Sequence, residues 1–272
     1  MKFLRLTFYG SILLIALFCN ACTTSGDTSP AAAASPATTE QASIPLQRFW
    51  VTETHVKPEM MTQFREFVEK ESLPAYQKAG YKQQSMYTTA SLGESFEFIT
   101  IRPIESLQQF DEPSFITKAL GEEGARKWAA KRATMIVSAH SYITQARPEL
   151  SIAPTSNEPA KLAFVIRQSI TPGRSADFEN LIKNEALPII KKANPKGYIV
   201  RKVGTGGDLE EYHTVVLMDS FADYEKWTAT LTKEGYDKVA AKRAGIVMHR
   251  ELAVYRYVPE LSLRPQVVAE KK

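Results

Sequence analysis

Polar and apolar residues alternate over Phe49–Val56 and stop at Pro58; apolar residues then recur at three- and four-residue intervals as Phe64, Phe67 and Val68. The first spacing predicts a half-buried strand and the second an amphipathic helix. The succession returns further on: Ala163–Ile170 alternates, Pro172 closes it, and Phe178, Leu181 and Ile182 mark a helix face. Both helices carry Glu-x-Leu-Pro, ending at Pro74 and Pro188, 114 residues apart. A proline there lacks the amide donor and is expected to kink or restart the helix. Gly80 and Gly197 turn the chain into second strands starting at Tyr81 and Tyr198. Loops near Ser91–Glu94 and Gly204–Asp208 then lead, hairpin-fashion, to third strands at Phe96–Arg102 and Tyr212–Met218. Helical segments follow, ending in Ala130-Lys-Arg-Ala133 and Ala241-Lys-Arg-Ala244, and long last strands run over Met135–Gln145 and Ile246–Val258. Each half therefore reads β-α-β-β-α-β, the ferredoxin-like order.

The fold class expected is α+β, with residues 47–150 and 161–262 as tandem ferredoxin-like domains, 151–160 as the linker and 263–272 as a tail. Ahead of them, basic Lys2 and Arg5, an apolar run over Ser11–Phe18 and small residues at Ala21 and Cys22 read as a signal peptide over 1–21. Residues 22–46 are small, polar and proline-rich, too poor in apolar bulk to offset the entropy of ordering, and read as a flexible tether. Cys22 resembles the lipid-modified first residue of a bacterial lipoprotein, although Cys19 and Asn20 depart from that pattern. The resemblance implies a cell-envelope protein held to a membrane through Cys22; plain cleavage after Ala21 is the alternative. The chain has 2 cysteines, Cys19 and Cys22, so the globular part has no disulfide, thiolate metal site or cysteine nucleophile. A net charge of +4, with bases spread among acids, excludes a nucleic-acid stripe.

The repeated unit, its long terminal strand and the Glu-x-Leu-Pro helix together resemble the dimeric α/β-barrel superfamily, which includes antibiotic-biosynthesis-type monooxygenases and NIPSNAP-like domains. The resemblance spans about residues 47–258. It implies two sheets paired into one barrel with helices outside, here formed within a single chain as an intrachain pseudo-dimer, so that no oligomer is required. It also implies cofactor-independent oxygenation or haem-linked chemistry as activities the fold can host. No catalytic residue of that superfamily maps onto a position in this sequence.

A barrel makes the two sides of each strand different, the helix-facing side more apolar and the interior side more mixed. On the last strands, Ile246, Met248, Leu252 and Val254, interrupted by Arg250, and in the first half Met135, Val137, Ala139 and Ile143, form the apolar side. Trp50, Thr52 and Val56, with Phe164, Ile166 and Ile170, suit the helices on the first strands. The opposite sides bring His55, Glu53, Tyr142, Arg167 and Tyr255 inward as expected ligand-binding residues. His140, His249 and Glu251, on the same side, are candidate catalytic groups. Glu71 and Glu185 fall seven residues after Phe64 and Phe178, on the apolar helix face, where burial would make a carboxylate a proton acceptor; ion pairs with Lys131, Arg132, Lys242 or Arg243 are the preferred structural explanation.

The four histidines have no metal-ligand spacing, and no metal or cofactor is expected. Gly204-Thr-Gly-Gly207 runs from strand to strand and is a hairpin turn, not a phosphate loop. Trp50, Trp128 and Trp227 are assigned to core or interface. Three functions follow: binding of a small, partly aromatic ligand inside the barrel, an enzyme of the oxygenase or haem type, or a filled barrel whose outer helices hold a protein partner.

Overall fold

The computed structural model describes residues 47–156 and 158–264. The signal peptide, Cys22 and the tether lie outside the described residues, as does most of the expected tail. The first half comprises β1 (Arg48–Val56), α1 (Met61–Phe67), a π-helical turn (Val68–Ser72), α2 (Leu73–Lys78), β2 (Ser85–Thr89), β3 (Glu97–Ile104), α3 (Phe115–Met135) and β4 (Ile136–Ala146). The second comprises β5 (Leu162–Ile170), α4 (Ser175–Leu181), a π-helical turn (Ile182–Ala186), α5 (Leu187–Lys192), β6 (Gly197–Val203), β7 (Glu211–Met218), α6 (Phe221–Lys233), α7 (Tyr236–Ala241) and β8 (Val247–Tyr257). β-α-β-β-α-β thus appears twice. The second strand of the first half begins at Ser85, four residues later than Tyr81, because Tyr81 packs edge-on against Tyr76 and Phe115 before the chain becomes extended.

The eight strands close into one barrel in the order β1-β3-β2-β8-β5-β7-β6-β4, with every neighbouring pair antiparallel. The halves join at two short seams, Tyr87–Thr89 against Tyr255–Tyr257 and Thr144–Ala146 against Arg201–Val203. Closure leaves no sheet edge at the seams and turns one face of every strand inward. Val51, Ile99, Tyr142, Val203 and Tyr255 fill that interior as a buried cluster. Two further cores lie between the sheets and their helices, one around Phe64, Phe67 and Phe98 and the other around Phe164, Phe178 and Ile182.

The prolines do not break their helices. Each follows a π-helical turn in which Leu73 donates to Val68 O and Leu187 to Ile182 O, bonds one residue longer than the α spacing. The widened turn accommodates a ring that would otherwise crowd the preceding carbonyl. It also slips the helical face by one residue, so Ser72 and Ala186 are buried where Glu71 and Glu185 were expected. Both glutamates turn outward, Glu71 to Lys131 and Glu185 to Lys242, the latter at 2.6 Å.

Candidate functional site

The inward faces hold the residues that alternation assigned to them, packed rather than open. Glu53 Oε1 accepts from the Tyr142 hydroxyl at 2.6 Å and from Arg167 Nη2 at 2.6 Å. Glu97 Oε2 accepts from the Tyr255 hydroxyl at 2.7 Å, and its Oε1 lies 3.6 Å from His55 Nε2. Burial, and then the charge and hydrogen bond of Glu53, push the Tyr142 phenol far above its ordinary value, so it stays a donor. Burial pulls the Arg167 guanidinium down, but Glu53, Tyr255 and Tyr142 outweigh it and hold Arg167 above its ordinary value. This network and its apolar neighbours lie inside the barrel, whereas a cavity of about 580 Å³ opens on the outer side of the sheet. His55, Glu53, Tyr142, Arg167 and Tyr255, expected as ligand-binding residues, thus face the interior, where they form polar clusters with Glu97.

The candidate histidines fare differently. His140 lies opposite Glu53 and His249 opposite Ser169 in register, so both are on the inward-facing side. They are nevertheless exposed. The pairing explains it: β4 meets β6 only over Thr144–Ala146, and β8 meets β2 only over Tyr255–Tyr257, so the earlier parts of both strands are paired along one edge only, with β1 and β5. Glu251 is half-exposed there, 3.8 Å from His249 and 3.6 Å from Arg167. Glu71 and Glu185 stand apart from them, at exposed positions paired with Lys131 and Lys242.

A cavity of about 580 Å³ opens instead between the outer face of the first half's sheet and helices α1 and α3. Its floor is the helix-facing side of four strands: Trp50, Thr52 and Thr54 of β1, Met86 of β2, Thr100 and Arg102 of β3, and Ala139 and Ser141 of β4. Its roof is Phe64, Phe67, Trp128 and Arg132, with Trp128 Nε1 donating to Ser72 Oγ at 3.2 Å. The π-helical turn thus places in the roof the hydroxyl that fixes the tryptophan. Arg132 Nη2 donates to Thr54 Oγ1 at 3.3 Å. Burial, with Arg102 acting in the same sense, depresses the Arg132 guanidinium against a smaller opposing effect of Tyr76.

The corresponding space in the second half holds only about 150 Å³. At equivalent positions of the repeat the second half places Ile166 for Thr52, Gln168 for Thr54, Tyr198 for Gln84, Val216 for Arg102, Arg250 for Ala139 and Leu252 for Ser141. Except for Val216 these side chains are larger than their counterparts, and Gln168 is tied to Thr214 at 3.2 Å. One copy of the duplicated unit is packed and the other is hollow. The helix-facing side is mixed in both halves: Gln168, Thr214 and Arg250 interrupt it in the second, and threonines, Ser141 and Arg102 interrupt it in the first. The signal for these residues was in the sequence, in the unlike members of the two copies.

No family model matches the chain, and no curated protein sequence matches it. Solved structures do. A candidate monooxygenase from Lactobacillus acidophilus superposes with a TM-score of 0.54 at 9% identity over 81% of this chain and 97% of its own. A candidate monooxygenase from Fusobacterium nucleatum gives 0.55 at 12% identity, covering 79% and 93%. A candidate chlorite dismutase gives 0.50 at 12% identity, covering 79% and 96%.

Proposed function

We propose, for a chain that has the fold of the dimeric α/β-barrel superfamily, that the hollow first half binds a small, partly aromatic molecule and the packed second half serves as its scaffold. The observation that carries this is the asymmetry of the duplication, about 580 Å³ against about 150 Å³ at equivalent places. A core of this fold packs well in the second half, so the small residues Thr52, Thr54, Ala139 and Ser141 are not demanded by folding. Voids lined by protein forfeit dispersion contacts, and a ligand restores them. The walls offer aromatic surface from Trp50, Phe110 and Trp128 and a few placed polar groups, the usual make-up of a small-molecule site.

The test uses the protein's own second half as the template. Thr54→Gln with Ala139→Arg introduces the residues found at Gln168 and Arg250. Quenching of tryptophan emission by two- and three-ring aromatics, read by titration, should be lost in this variant while its melting temperature is retained. Undiminished binding would place the site elsewhere.

Oxygenation of the bound molecule is the second reading, supported by the folds shared with candidate monooxygenases. Oxygen uptake with hydroquinone-type substrates, present in the native chain and absent from the filled variant, would extend binding to catalysis. Attachment of the chain to the envelope through lipidated Cys22 belongs to the same proposal. Cys22→Ala should move the protein from the membrane fraction to the soluble one, and an unchanged distribution would rule out the anchor.

A further inference from the structure

We infer that the first half's cavity takes an aromatic oxyanion, a carboxylate or phosphate borne on a planar ring system; this rests on the cavity being a binding site. Three arginines line it, Arg102 from β3 and Arg126 and Arg132 from α3; Arg126 is exposed, whereas Arg102 and Arg132 face the cavity from buried or partly buried positions. Arg102 is 6% exposed, and its Nε donates to Gln84 Oε1 at 2.8 Å. Its guanidinium carbon lies 4.7 Å from the ring centre of Tyr76 and 5.1 Å from that of Trp50, which fixes the plane while leaving the terminal nitrogens uncommitted. Among the described residues those terminal nitrogens have no protein acceptor, and no carboxylate forms an ion pair with Arg102 or Arg132.

A buried cation without a counter-charge is costly; Arg167 has Glu53 and Arg147 has Glu179, while Arg201, which likewise has no carboxylate partner, is stacked on Phe49 with its guanidinium carbon 4.0 Å from the ring centre. The acids at the cavity's rim do not fill that role: Glu112 is bonded to Lys118, and Glu122 is exposed. In the second half, Arg243 stands where Arg132 stands but is bonded to the Tyr236 hydroxyl, and the space that it lines with Arg250 is only about 150 Å³. The first half sets its guanidinium groups beside about 580 Å³, room for a ring system, where the second half has about 150 Å³. An entering carboxylate or phosphate would meet a planar fork suited to two parallel hydrogen bonds, with its ring against Trp50 and Trp128.

The full chain is titrated with 2-naphthoate, 2-naphthyl phosphate and 2-naphthamide, following tryptophan emission and the heat of binding. At least one oxyanion should bind about tenfold or more tightly than the neutral amide, the size expected of a charge-assisted hydrogen bond. That preference should collapse in Arg132→Met and in Arg102→Met, while Arg102→Lys keeps part of it. Arg102 packs against two rings, so Arg132→Met, at a partly exposed position, keeps the test decisive should Arg102→Met not fold. Whichever oxyanion binds more tightly identifies its class. Equal affinity for naphthoate, naphthyl phosphate and naphthamide overturns the charge requirement and leaves the cavity reading standing; if none of the three binds, both fall.

Discussion

Glu97 is 3% exposed inside the barrel, with the Tyr255 hydroxyl on one oxygen and the His55 ring near the other. Burial pushes its carboxyl up; the Tyr255 hydrogen bond pulls it down and the Glu53 charge pushes it up again. A carboxyl raised in the folded state holds its proton more tightly there than in the unfolded chain. Its contribution to stability is therefore present at low pH and lost as pH rises from the ordinary carboxylate range through the folded value. Glu97→Gln keeps the acceptor for Tyr255 and removes the charge. It should raise the melting temperature at pH 7 more than at pH 4, as read by calorimetry across pH; a variant less stable at pH 7 would mean that the ionised form is the stabilised one. Glu53, Arg167, Tyr142 and Tyr255 were legible as inward residues because a period of two fixes the side of a strand once one residue is placed. Arg102 was not. An arginine in a strand gives no sign of whether it is paired until its neighbours from other strands are known.

At the level of elements, the π-helical turns and the strand stretches paired along one edge only account for the two sets of candidate residues that lie away from the cavity. Counting in steps of 3.6 from Phe64 puts Glu71 on the buried face, and the extra residue in the turn before Pro74 hands that place to Ser72. The outward pairs Glu71–Lys131 and Glu185–Lys242 join helices across solvent-exposed surface, with side-chain exposures of 44% and 55% in the first and 39% and 58% in the second. Glu71→Ala or Glu185→Ala should each change unfolding free energy by no more than about 0.5–1 kcal/mol, measured by urea denaturation. A loss several times larger would mean that the carboxylates do more than pair at the surface. His140 and His249 show the converse: the alternation placed them on the inward side, and the length of the seams left that side uncovered. The reach of one strand along another depends on a partner more than a hundred residues away in the chain, as His249 does on β2.

For the whole molecule the decisive pair is Glu53 and Arg167. They occupy the same position in the two copies of the repeat, 114 residues apart, and meet across the interior at 2.6 Å. Two identical copies of either half closed in this way would set carboxylate against carboxylate or guanidinium against guanidinium. The complementary charges therefore favour closure of one half on the other within a single chain. Glu53→Arg and Arg167→Glu should each cost about 2–4 kcal/mol by leaving like charges together in a largely buried site. The double exchange should recover most of that loss, and its stability in a double-mutant cycle checks the coupling. Exchange no better than the sum of the single changes would show that the pair does not set the closure.

The duplication, the order of elements and the side of each strand were determined by the sequence itself, because periodicity and repeat spacing survive without coordinates; closure into one barrel was implied only by the resemblance to the superfamily. What only the tertiary structure decided is where the hollow lies. The barrel's inner volume depends on how side chains from eight strands meet, and those of Val51, Ile99, Tyr142, Val203 and Tyr255 close it. The outer cavity arises from a difference between two copies, small residues at Thr52, Thr54, Ala139 and Ser141 beneath Trp128 and Arg132. A void is the volume left between elements brought together by folding, so no stretch of the chain carries it alone.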